Sequence, residues 1–334
     1  MAVYDITGSE LTAVFDTSGE GITAAYDIDG NEIVIRTPTD ITEVVSYYRT
    51  DVLAMQQTIS GLSDEWENLI FITDPHGTSN EQHSQAIAMY LLSNTPNISK
   101  IILNGDYVSD SWDLSEYTTY TTPFLESSLM PYIIATVGNH DVGKDAVVYA
   151  DFLADKSNLN GVPQGGYFYY DIPSKKLRMM FINTSSNGWL TISQTQLNWI
   201  AQNVILPDST WNLAVFGHVN VDDVGGVCYQ NLTNASALIS AIGACNGHIV
   251  GYFCGHQHID DTRNIGDFQQ TTLLCDRFEN RNYYNGLSVT NRVEGTVTEQ
   301  AVSIISINTT TKNVVVRRIG AGWENIVAGL HYTY

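Results

Sequence analysis

A strand-like apolar segment ends on four small or polar residues in Tyr132-Ile133-Ile134-Ala135-Thr136-Val137-Gly138-Asn139-His140-Asp141. A buried strand that carries functional side chains at its carboxyl end has this pattern. Asn139 offers an amide oxygen to a metal ion, His140 offers a proton, and Asp141 is placed to orient the imidazole. Turns of this composition are also common in ordinary loops, so the stretch alone does not establish a catalytic site.

The same arrangement of an apolar run followed by a polar turn occurs five times in the chain. The four other turns are Asp74-Pro75-His76-Gly77 after Leu69–Ile72, Asn104-Gly105-Asp106 after Ile101–Leu103, Gly217-His218 after Leu213–Phe216, and Gly255-His256-Gln257-His258 after Ile249–Cys254. Each run has the length of a strand, and each turn contains a glycine that allows close backbone approach. Five of the eight histidines lie in these turns, so chance explains the pattern poorly.

The spacing of the first three turns indicates how they are arranged in space. Asp74 and Asp106, like Asp106 and Asn139, are a little over thirty residues apart. A strand, a crossover helix and a return strand have this length, so the turns are predicted to converge on one edge of a sheet. Two aspartates, one amide and four imidazoles are too many ligands for one cation but suit two, which lie roughly 3.5–4 Å apart in two-metal hydrolases. A nitrogen and oxygen donor set favours manganese, iron, zinc or cobalt over magnesium or copper.

The order of the five motifs resembles that of the calcineurin-like metallophosphoesterase family: Asp-x-His, Gly-Asp, Gly-Asn-His-Asp, a lone Gly-His and Gly-His-x-His. The similarity covers about residues 66–325, and residues 192–200 resemble the helix before the family's fourth motif. The resemblance implies an α/β fold, a four-layer sandwich of two mixed β-sheets flanked by helices, with the site where the loops meet. Because all five motifs are complete, we expect a working site.

The resemblance also implies a role for the polar residues of the turns. Seven of them are similar to the family's metal ligands: Asp74, His76 and His258 for a first ion, Asn139, His218 and His256 for a second, and Asp106 as the bridge. His140 is similar to the leaving-group acid of the family, with Asp141 behind it. These roles predict a phosphomonoesterase or phosphodiesterase in which a hydroxide bridging two metal ions attacks phosphorus in line. The motifs place no nucleophilic serine or cysteine, so we expect no covalent phosphoenzyme.

Composition restricts the partners and the compartment. The chain has 334 residues and a net charge of −21, and nucleic-acid binding depends on a basic surface, so a nuclease is disfavoured. No apolar run approaches the roughly 18–20 residues of a membrane span, and Met1–Asp5 lacks the features of a secretion signal. We therefore expect no membrane partner and a protein that is cytoplasmic as synthesised. The four cysteines, Cys228, Cys245, Cys254 and Cys275, have no CxxC spacing and predict buried side chains in a reducing compartment.

Three segments are predicted along the chain: a β-repeat segment over residues 1–38, a helix over 39–63 and a catalytic domain over 64–334. The repeats begin at Tyr4, Phe15 and Tyr26 and have a period of 11 residues. Each contains an aromatic residue, an aspartate, a glycine turn and an aliphatic residue, which predicts a short strand–turn–strand unit. So short a segment cannot bury its own core and is expected to pack on another surface. It resembles short modules that precede hydrolase domains in tail-associated phage proteins.

The predicted helix begins with Asp40 and Glu43 at capping-box spacing. Its apolar residues alternate spacings of four and three and form a heptad seam: Ile41, Val45, Tyr48, Val52, Met55, Ile59 and Leu62. Such a seam is typical of a coiled coil and favours a homo-oligomer, a trimer or a dimer, formed through residues 1–62. The alternative is a helix that packs on its own domain, which Val44 and Leu53 favour because they widen the apolar stripe.

The repeats and the seam also support a second hypothesis for the whole protein. In this alternative it is a phage-tail-type structural or host-binding protein that carries a phosphoesterase domain and is associated with a virion or larger particle. The complete set of ligand residues favours the enzyme. The natural substrate, the preference for monoesters or diesters and the identity of the metal stay open, because substrate loops rather than the motifs determine them.

Several further elements are predicted inside the catalytic domain. Residues Ser79–Ser93 are expected to form a crossover helix, and residues 107–122 a polar loop that lines the substrate cleft or belongs to the ordinary surface. Two runs separated by Pro173–Lys176 predict a hairpin. Three strands are assigned to the second sheet: Thr271–Leu274, Ala301–Ile307 and Val314–Ile319.

Overall fold

The computed structural model describes most of the chain. The described residues are 38–77, 83–109, 114–142, 166–187, 189–222, 231–278, 292–322 and 329–334, together with Arg36 and four two-residue strands near the N-terminus. None of the helices within these ranges is long and apolar enough to cross a bilayer.

The N-terminal segment contains two short hairpins. Strand β1 (Val3–Tyr4) pairs antiparallel with β2 (Glu10–Leu11), and β3 (Ala25–Tyr26) pairs in the same way with β4 (Glu32–Ile33). The second hairpin follows the first by two periods of the 11-residue repeat. The strand–turn–strand prediction therefore describes the first and third repeats, and the repeat that begins at Phe15 lies outside the described residues.

Twelve longer strands and six α-helices follow in the described part of the chain. The strands are β5 (Trp66–Ile72), β6 (Ile98–Asn104), β7 (Ile133–Thr136), β8 (Phe168–Ile172), β9 (Leu177–Phe181), β10 (Asn212–Phe216), β11 (His248–Cys254), β12 (Asp261–Ile265), β13 (Phe268–Thr272), β14 (Ala301–Asn308), β15 (Asn313–Gly320) and β16 (Leu330–Thr333). The helices are α1 (Arg49–Ser60), α2 (His83–Asn94), α3 (Leu114–Leu125), α4 (Asn139–Val142), α5 (Gln194–Asn203) and α6 (Ala235–Gly243).

The longer strands form two mixed sheets of six strands each. The first sheet, with the order β16-β15-β14-β5-β6-β7, is parallel across β5, β6 and β7 and antiparallel from β5 outward through β14. The second sheet, with the order β12-β13-β11-β10-β9-β8, is parallel from β13 to β9 and antiparallel at both edges. The predicted hairpin corresponds to β8 and β9, which join around Pro173–Lys175.

The two sheets pack face to face, and helices cover their outer faces. The central core contains stacked phenylalanines of the second sheet, with ring centroids of Phe181 and Phe216 separated by 5.0 Å and those of Phe216 and Phe253 by 5.2 Å. Apolar side chains of α1, α2 and α3 join the core outside the first sheet, and those of α5 and α6 join the core outside the second. This confirms the predicted four-layer α/β sandwich of two mixed sheets flanked by helices.

The predicted helix over residues 39–63 is interrupted, and its seam faces the same chain. Asp40 accepts a hydrogen bond from the Thr42 N–H at 2.8 Å, as a helix cap does, but the first turn is a 3-10 helix that ends before an extended Val44. Tyr48, Val52 and Ile59, three residues of the seam, are fully buried in the core that α2 also joins. The alternative prediction therefore describes the fully buried part of the seam, and the dimer or trimer expected through residues 1–62 stays a prediction.

Three other predictions need correction or adjustment. Helix α2 begins at His83 in the described residues, and much of the predicted loop over 107–122 is helix α3, while Trp112 lies outside the described residues. The segment at Thr271 belongs to β13, which is in a different sheet from β14 and β15. The reason is a tight hairpin at Gly266, whose φ of 59° turns the chain back so that β13 pairs with β11.

The cysteines behave largely as packing residues. Cys254 and Cys275 are buried and Cys245 is half-buried, all three as free thiols, while Cys228 lies outside the described residues. The Cys254 Sγ lies 3.4 Å from the Thr272 Oγ1, and burial raises the pKa of its thiol. Cys254 therefore stays a neutral core side chain beside the turn at Gly255.

Candidate metal centre

The five polar turns meet where the carboxyl ends of the two sheets come together. Three of the turns follow β5, β6 and β7 of the first sheet, and two follow β10 and β11 of the second. The sequence predicts convergence on one sheet edge, whereas the structure joins the edges of two sheets. The seven predicted ligands are all buried: Asp74, His76, Asp106, Asn139, His218, His256 and His258.

Six of the predicted ligands form two groups that could each hold a metal ion. The ligand atoms of each group lie within 4.8 Å of one another: Asp74, His76 and His258 in one group, and Asp106, His218 and His256 in the other. The Asp106 Oδ2 lies 3.0 Å from the His218 Nε2 and 3.7 Å from the His76 Nε2. Asp106 therefore faces both groups, as a bridging carboxylate must.

The residues present fit a metal centre. Both polar atoms of the Asn139 side chain are buried without a hydrogen-bond partner, and the buried Asp74 Oδ1 lies 3.2 Å from the His258 Nε2. Leaving such atoms unpaired costs about 1–3 kcal/mol each, so proteins keep few of them without reason. The Nε2 atoms of His76 and His258 face each other at 3.1 Å, a contact that a shared cation would stabilise. The donors are imidazole nitrogens, carboxylates and an amide, which suit transition metals.

The backbone of the turns is strained at the predicted ligands. Five of them have left-handed φ angles: Asp74 at 52°, His76 at 48°, Asp106 at 57°, His256 at 66° and His258 at 55°. Residues other than glycine adopt this conformation uncommonly, at an approximate cost of 1–3 kcal/mol each. Strain of this kind clusters at functional sites, because the surrounding structure must hold it in place.

Two glycines allow the turns to approach one another closely. A Cβ at Gly255 would collide with the side chains of Thr73 and Asp74, and a Cβ at Gly138 would collide with the Asp106 carboxylate. Any larger residue at these positions would separate the turns and displace a predicted ligand. The glycines of the motifs are therefore a steric requirement of the site.

Hydrogen bonds fix the orientation of the predicted ligands. The Asp74 Oδ2 accepts from the Thr73 Oγ1 at 2.6 Å and from the His256 N–H at 2.9 Å, which links the two sheets. The His218 Nδ1 lies 2.7 Å from the Asn104 carbonyl oxygen. Because a carbonyl only accepts, Nδ1 carries the hydrogen, and Nε2 is left to bind a metal ion.

The charges of the carboxylates and imidazoles shift each other's pKa. Burial lowers the pKa of His218, but the carboxylates of Asp106 and Asp74 outweigh burial and raise it to about 9. Burial raises the pKa of Asp106, but the neighbouring His218 and His140 outweigh burial and hold it well below its usual range. The site therefore keeps its carboxylates ionised, which is the form that binds cations.

Asp141, which the sequence predicts to orient the His140 imidazole, has its hydrogen-bond partners among the described residues in the backbone, so that role stays a prediction. Its carboxylate accepts from the backbone N–H groups of Asp106, Tyr107 and Gly138, each at 2.8 Å. Burial and the charge of Asp106 raise the pKa of Asp141 to about 6, although the hydrogen bond from Gly138 opposes them. Asp141 thus ties the turn after β6 to the turn after β7.

The imidazole of His140 is held by a backbone carbonyl that the motifs do not contain. The His140 Nδ1 lies 2.6 Å from the Ser109 carbonyl oxygen, and its Nε2 lies 4.0 Å from the Asp106 Oδ2. The ring also contacts Trp189, with centroids 5.1 Å apart. Sequence reasoning missed Ser109 and Trp189, because neither has a local signal and both reach the site through the fold.

A large cavity elsewhere in the molecule does not include this site. It has a volume of about 810 Å³ and lies at the opposite ends of the strands, where Trp66, Asn97 and Asn212 line it. None of the predicted metal ligands is among its lining residues. The chemistry predicted from the turns is therefore separate from this cavity.

Comparison with solved structures shows the same fold in other proteins. A dimetal phosphatase from Danio rerio is 14% identical over 80% of this chain and 99% of its own, with a TM-score of 0.53. The Plasmodium protein GAP50, described as the anchor in the inner membrane complex, is 13% identical over 80% of this chain and 88% of its own, also with a TM-score of 0.53. At these identities the likeness shows the fold alone.

Comparison of sequences gives the family. No curated protein sequence matches the chain. The profile of the calcineurin-like phosphoesterases matches residues 68–260, which include all five polar turns. This match spans more than half of the chain, and the chain therefore belongs to the family of calcineurin-like phosphoesterases.

Proposed function

We propose that this phosphoesterase hydrolyses phosphate monoesters or diesters with two transition-metal ions. In this proposal one ion is held by Asp74, His76 and His258, the other by Asn139, His218 and His256, and Asp106 bridges them. The single observation that carries the proposal is the convergence of buried, partly unpaired ligand atoms from five turns and two sheets. Manganese, iron, zinc and cobalt suit this donor set.

The two ions would supply the nucleophile and charge stabilisation, because bound metals lower the pKa of water and neutralise phosphoryl oxygens. The chain itself supplies the proton for the leaving group. His140 donates Nδ1–H to the Ser109 carbonyl, which leaves Nε2, 4.0 Å from the Asp106 Oδ2, as the nitrogen that would pass a proton to the leaving oxygen. His140 is also partly exposed, with 31% of its side chain accessible, so a substrate can reach it.

Asp141 has an indirect role in this proposal. Its three backbone hydrogen bonds fix Asp106 and the turn that carries Asn139 and His140. A carboxylate that accepts from three N–H groups holds two adjacent turns in one geometry. We therefore treat Asp141 as a positioning residue and His140 as the acid.

The alternative of a structural or host-binding protein has weaker support. The Plasmodium protein described as an anchor has this fold, but the likeness at 13% identity extends to the fold alone. Three residues of the seam that suggested a stalk, Tyr48, Val52 and Ile59, are buried within the chain, which weakens the support for assembly on a virion or larger particle. The strongly acidic composition also disfavours a nuclease.

A metal-supplemented assay tests the proposal. The metal-free chain is incubated with manganese, zinc, iron or cobalt and assayed with p-nitrophenyl phosphate and bis-(p-nitrophenyl) phosphate. We expect turnover of at least one ester with one of these metals, and loss of turnover on chelation. Elemental analysis of the loaded chain provides an independent readout and should give close to two ions per chain. Absence of turnover with every metal, despite full loading, would favour the structural alternative.

A further inference from the structure

Trp189 is an exposed aromatic residue beside the proposed acid. Its side chain is 51% exposed, an unusual surface position for an indole. Its ring centroid lies 5.1 Å from that of His140, with the planes tilted by 64°. The His140 ring in turn lies 4.8 Å from His76. These three rings form a connected path from a buried metal ligand to the protein surface.

The segment that carries Trp189 is anchored on its C-terminal side. Leu190 is buried, has a left-handed φ of 56°, and accepts from the Thr233 N–H at 2.9 Å. The Asn234 side chain accepts from the Ile192 N–H at 3.2 Å and donates to the Ile192 carbonyl at 2.8 Å. A strained residue held by such contacts positions the exposed indole before any ligand arrives, which reduces the entropy lost on binding.

The position of Trp189 indicates which part of a substrate it meets. The reacting phosphoryl group must lie at the buried ligands, and His140 must face the leaving oxygen to protonate it. Exposure rises from 3% at His76 through 31% at His140 to 51% at Trp189, so the leaving group lies toward solvent on the side of Trp189. An indole face left open to water gains most from a flat aromatic partner, which stacks on it.

We propose that Trp189 is a stacking platform that selects phosphoesters whose leaving alcohol carries a flat aromatic group, such as a nucleoside or an aryl alcohol. The inference rests on the proposed function, because it places the leaving group by the role of His140. A single small ester also agrees with the net charge of −21, which disfavours a polyanionic substrate.

The test measures binding of the leaving alcohol without turnover. Adenosine, p-nitrophenol and ribose are titrated into the metal-loaded full chain and followed by saturation-transfer NMR. We expect Trp189→Ala to weaken binding of the aromatic alcohols by at least about fivefold, the lower range for loss of one stacked base. Trp189→Phe should retain most of the affinity, and ribose should not distinguish the variants. Tyr169→Ala is the matched control, because Tyr169 is 37% exposed and contacts Trp199 and Arg178 instead of His140.

The outcomes separate this inference from the proposed function. If Trp189→Ala weakens binding of adenosine alone, the platform is assigned to nucleosides. If it weakens binding of both aromatic alcohols, the platform is assigned to flat aromatic groups in general. Equal affinity of wild type and Trp189→Ala, or no detectable binding of either aromatic alcohol to wild type, would overturn the inference. If the wild type hydrolyses phosphoesters, KM for adenosine monophosphate should rise in Trp189→Ala relative to KM for ribose phosphate. A wild type without turnover contradicts the proposed function, while the binding test still decides the role of Trp189.

Discussion

At the residue scale, Asp106 connects the two groups of predicted ligands. Its Oδ2 faces the imidazoles of both His218 and His76. We expect Asp106→Asn to lower the affinity for both metal ions by at least about tenfold, because a neutral amide cannot balance the charge of two adjacent cations. Elemental analysis and activity assays measure the effect, and Asp64→Asn, at an exposed carboxylate, is the control. A variant that keeps two ions per chain and full activity would contradict the bridging role.

His140 is the residue whose loss should separate chemistry from metal binding. His140→Gln should leave the metal content nearly unchanged and lower kcat by roughly 10²–10⁴-fold, the usual contribution of a general acid. The loss should be smaller for p-nitrophenyl esters than for alkyl esters, because a good leaving group needs little protonation. Comparison of kcat across esters of graded leaving-group pKa checks this. An equal loss for all leaving groups would mean that His140 does not act as the acid.

Asp276 allows a prediction on stability that does not depend on metal ions. Burial raises the pKa of Asp276 from 3.8 to about 6, although the Ser84 hydrogen bond and the charge of Arg292 oppose the shift. Because the folded pKa lies above the unfolded one, its contribution to stability is full below about pH 4 and is lost as pH rises through about 6. Asp276→Asn should therefore gain stability relative to wild type by about 1.4 kcal/mol per pH unit in that window.

Urea unfolding of the metal-free proteins between about pH 4 and pH 7 measures this difference. If the amide itself changes the free energy of unfolding by a constant amount, the slope of the stability difference against pH is unaffected. Asp267→Asn, in the exposed turn between β12 and β13, serves as the control and should show no such slope. A difference between wild type and Asp276→Asn that is independent of pH would show that Asp276 is already ionised in the folded protein at pH 4.

At the element scale, α1 belongs to the core of the domain and is not an appendage. Ile59 on its inner face is fully buried, and Leu53 on the same helix is 45% exposed. Ile59→Ala should cost about 2–5 kcal/mol in the free energy of unfolding, whereas Leu53→Ala should change it by less than about 0.5 kcal/mol. Urea titrations at several protein concentrations check both values. Midpoints that depend on concentration would instead indicate that Ile59 lies between chains.

The same helix shows what its sequence could and could not predict. The apolar spacing from Ile41 to Leu62 correctly indicates one buried face, but a heptad pattern does not say what covers that face. The covering elements include α2 and residues near Gln300, whose N–H donates to the Tyr48 hydroxyl at 2.8 Å. The contact with Gln300 links residues 252 positions apart, so no local pattern contains it.

In the candidate metal centre, too, some features follow from local sequence and others depend on contacts between distant parts of the chain. The polar turns could be predicted because each directly follows its own strand, as Asp74 follows β5 and His218 follows β10. The contacts of His140 with Ser109 and Trp189, and the backbone bonds of Asp141, depend on how the turns pack. The convergence of the turns could therefore be predicted from the sequence, whereas the groups that orient His140 could not. The roles of the individual metal ligands stay a prediction.

At the scale of the whole molecule, the packing of α1 determines what happens when the N-terminal segments are removed. If residues 41–62 formed a stalk, a chain starting at Ser63 would be an active monomer. In the structure these residues include four fully buried apolar side chains of the core outside the first sheet: Val44, Tyr48, Val52 and Ile59. We therefore expect a chain starting at Ser63 to expose that core and to aggregate or lose its cooperative unfolding, as monitored by light scattering and circular dichroism. A chain starting at Arg36 keeps α1 and should remain folded and retain its metal ions. A stable, active monomer starting at Ser63 would show that the core is complete without α1 and would support the hypothesis that residues 41–62 form a stalk.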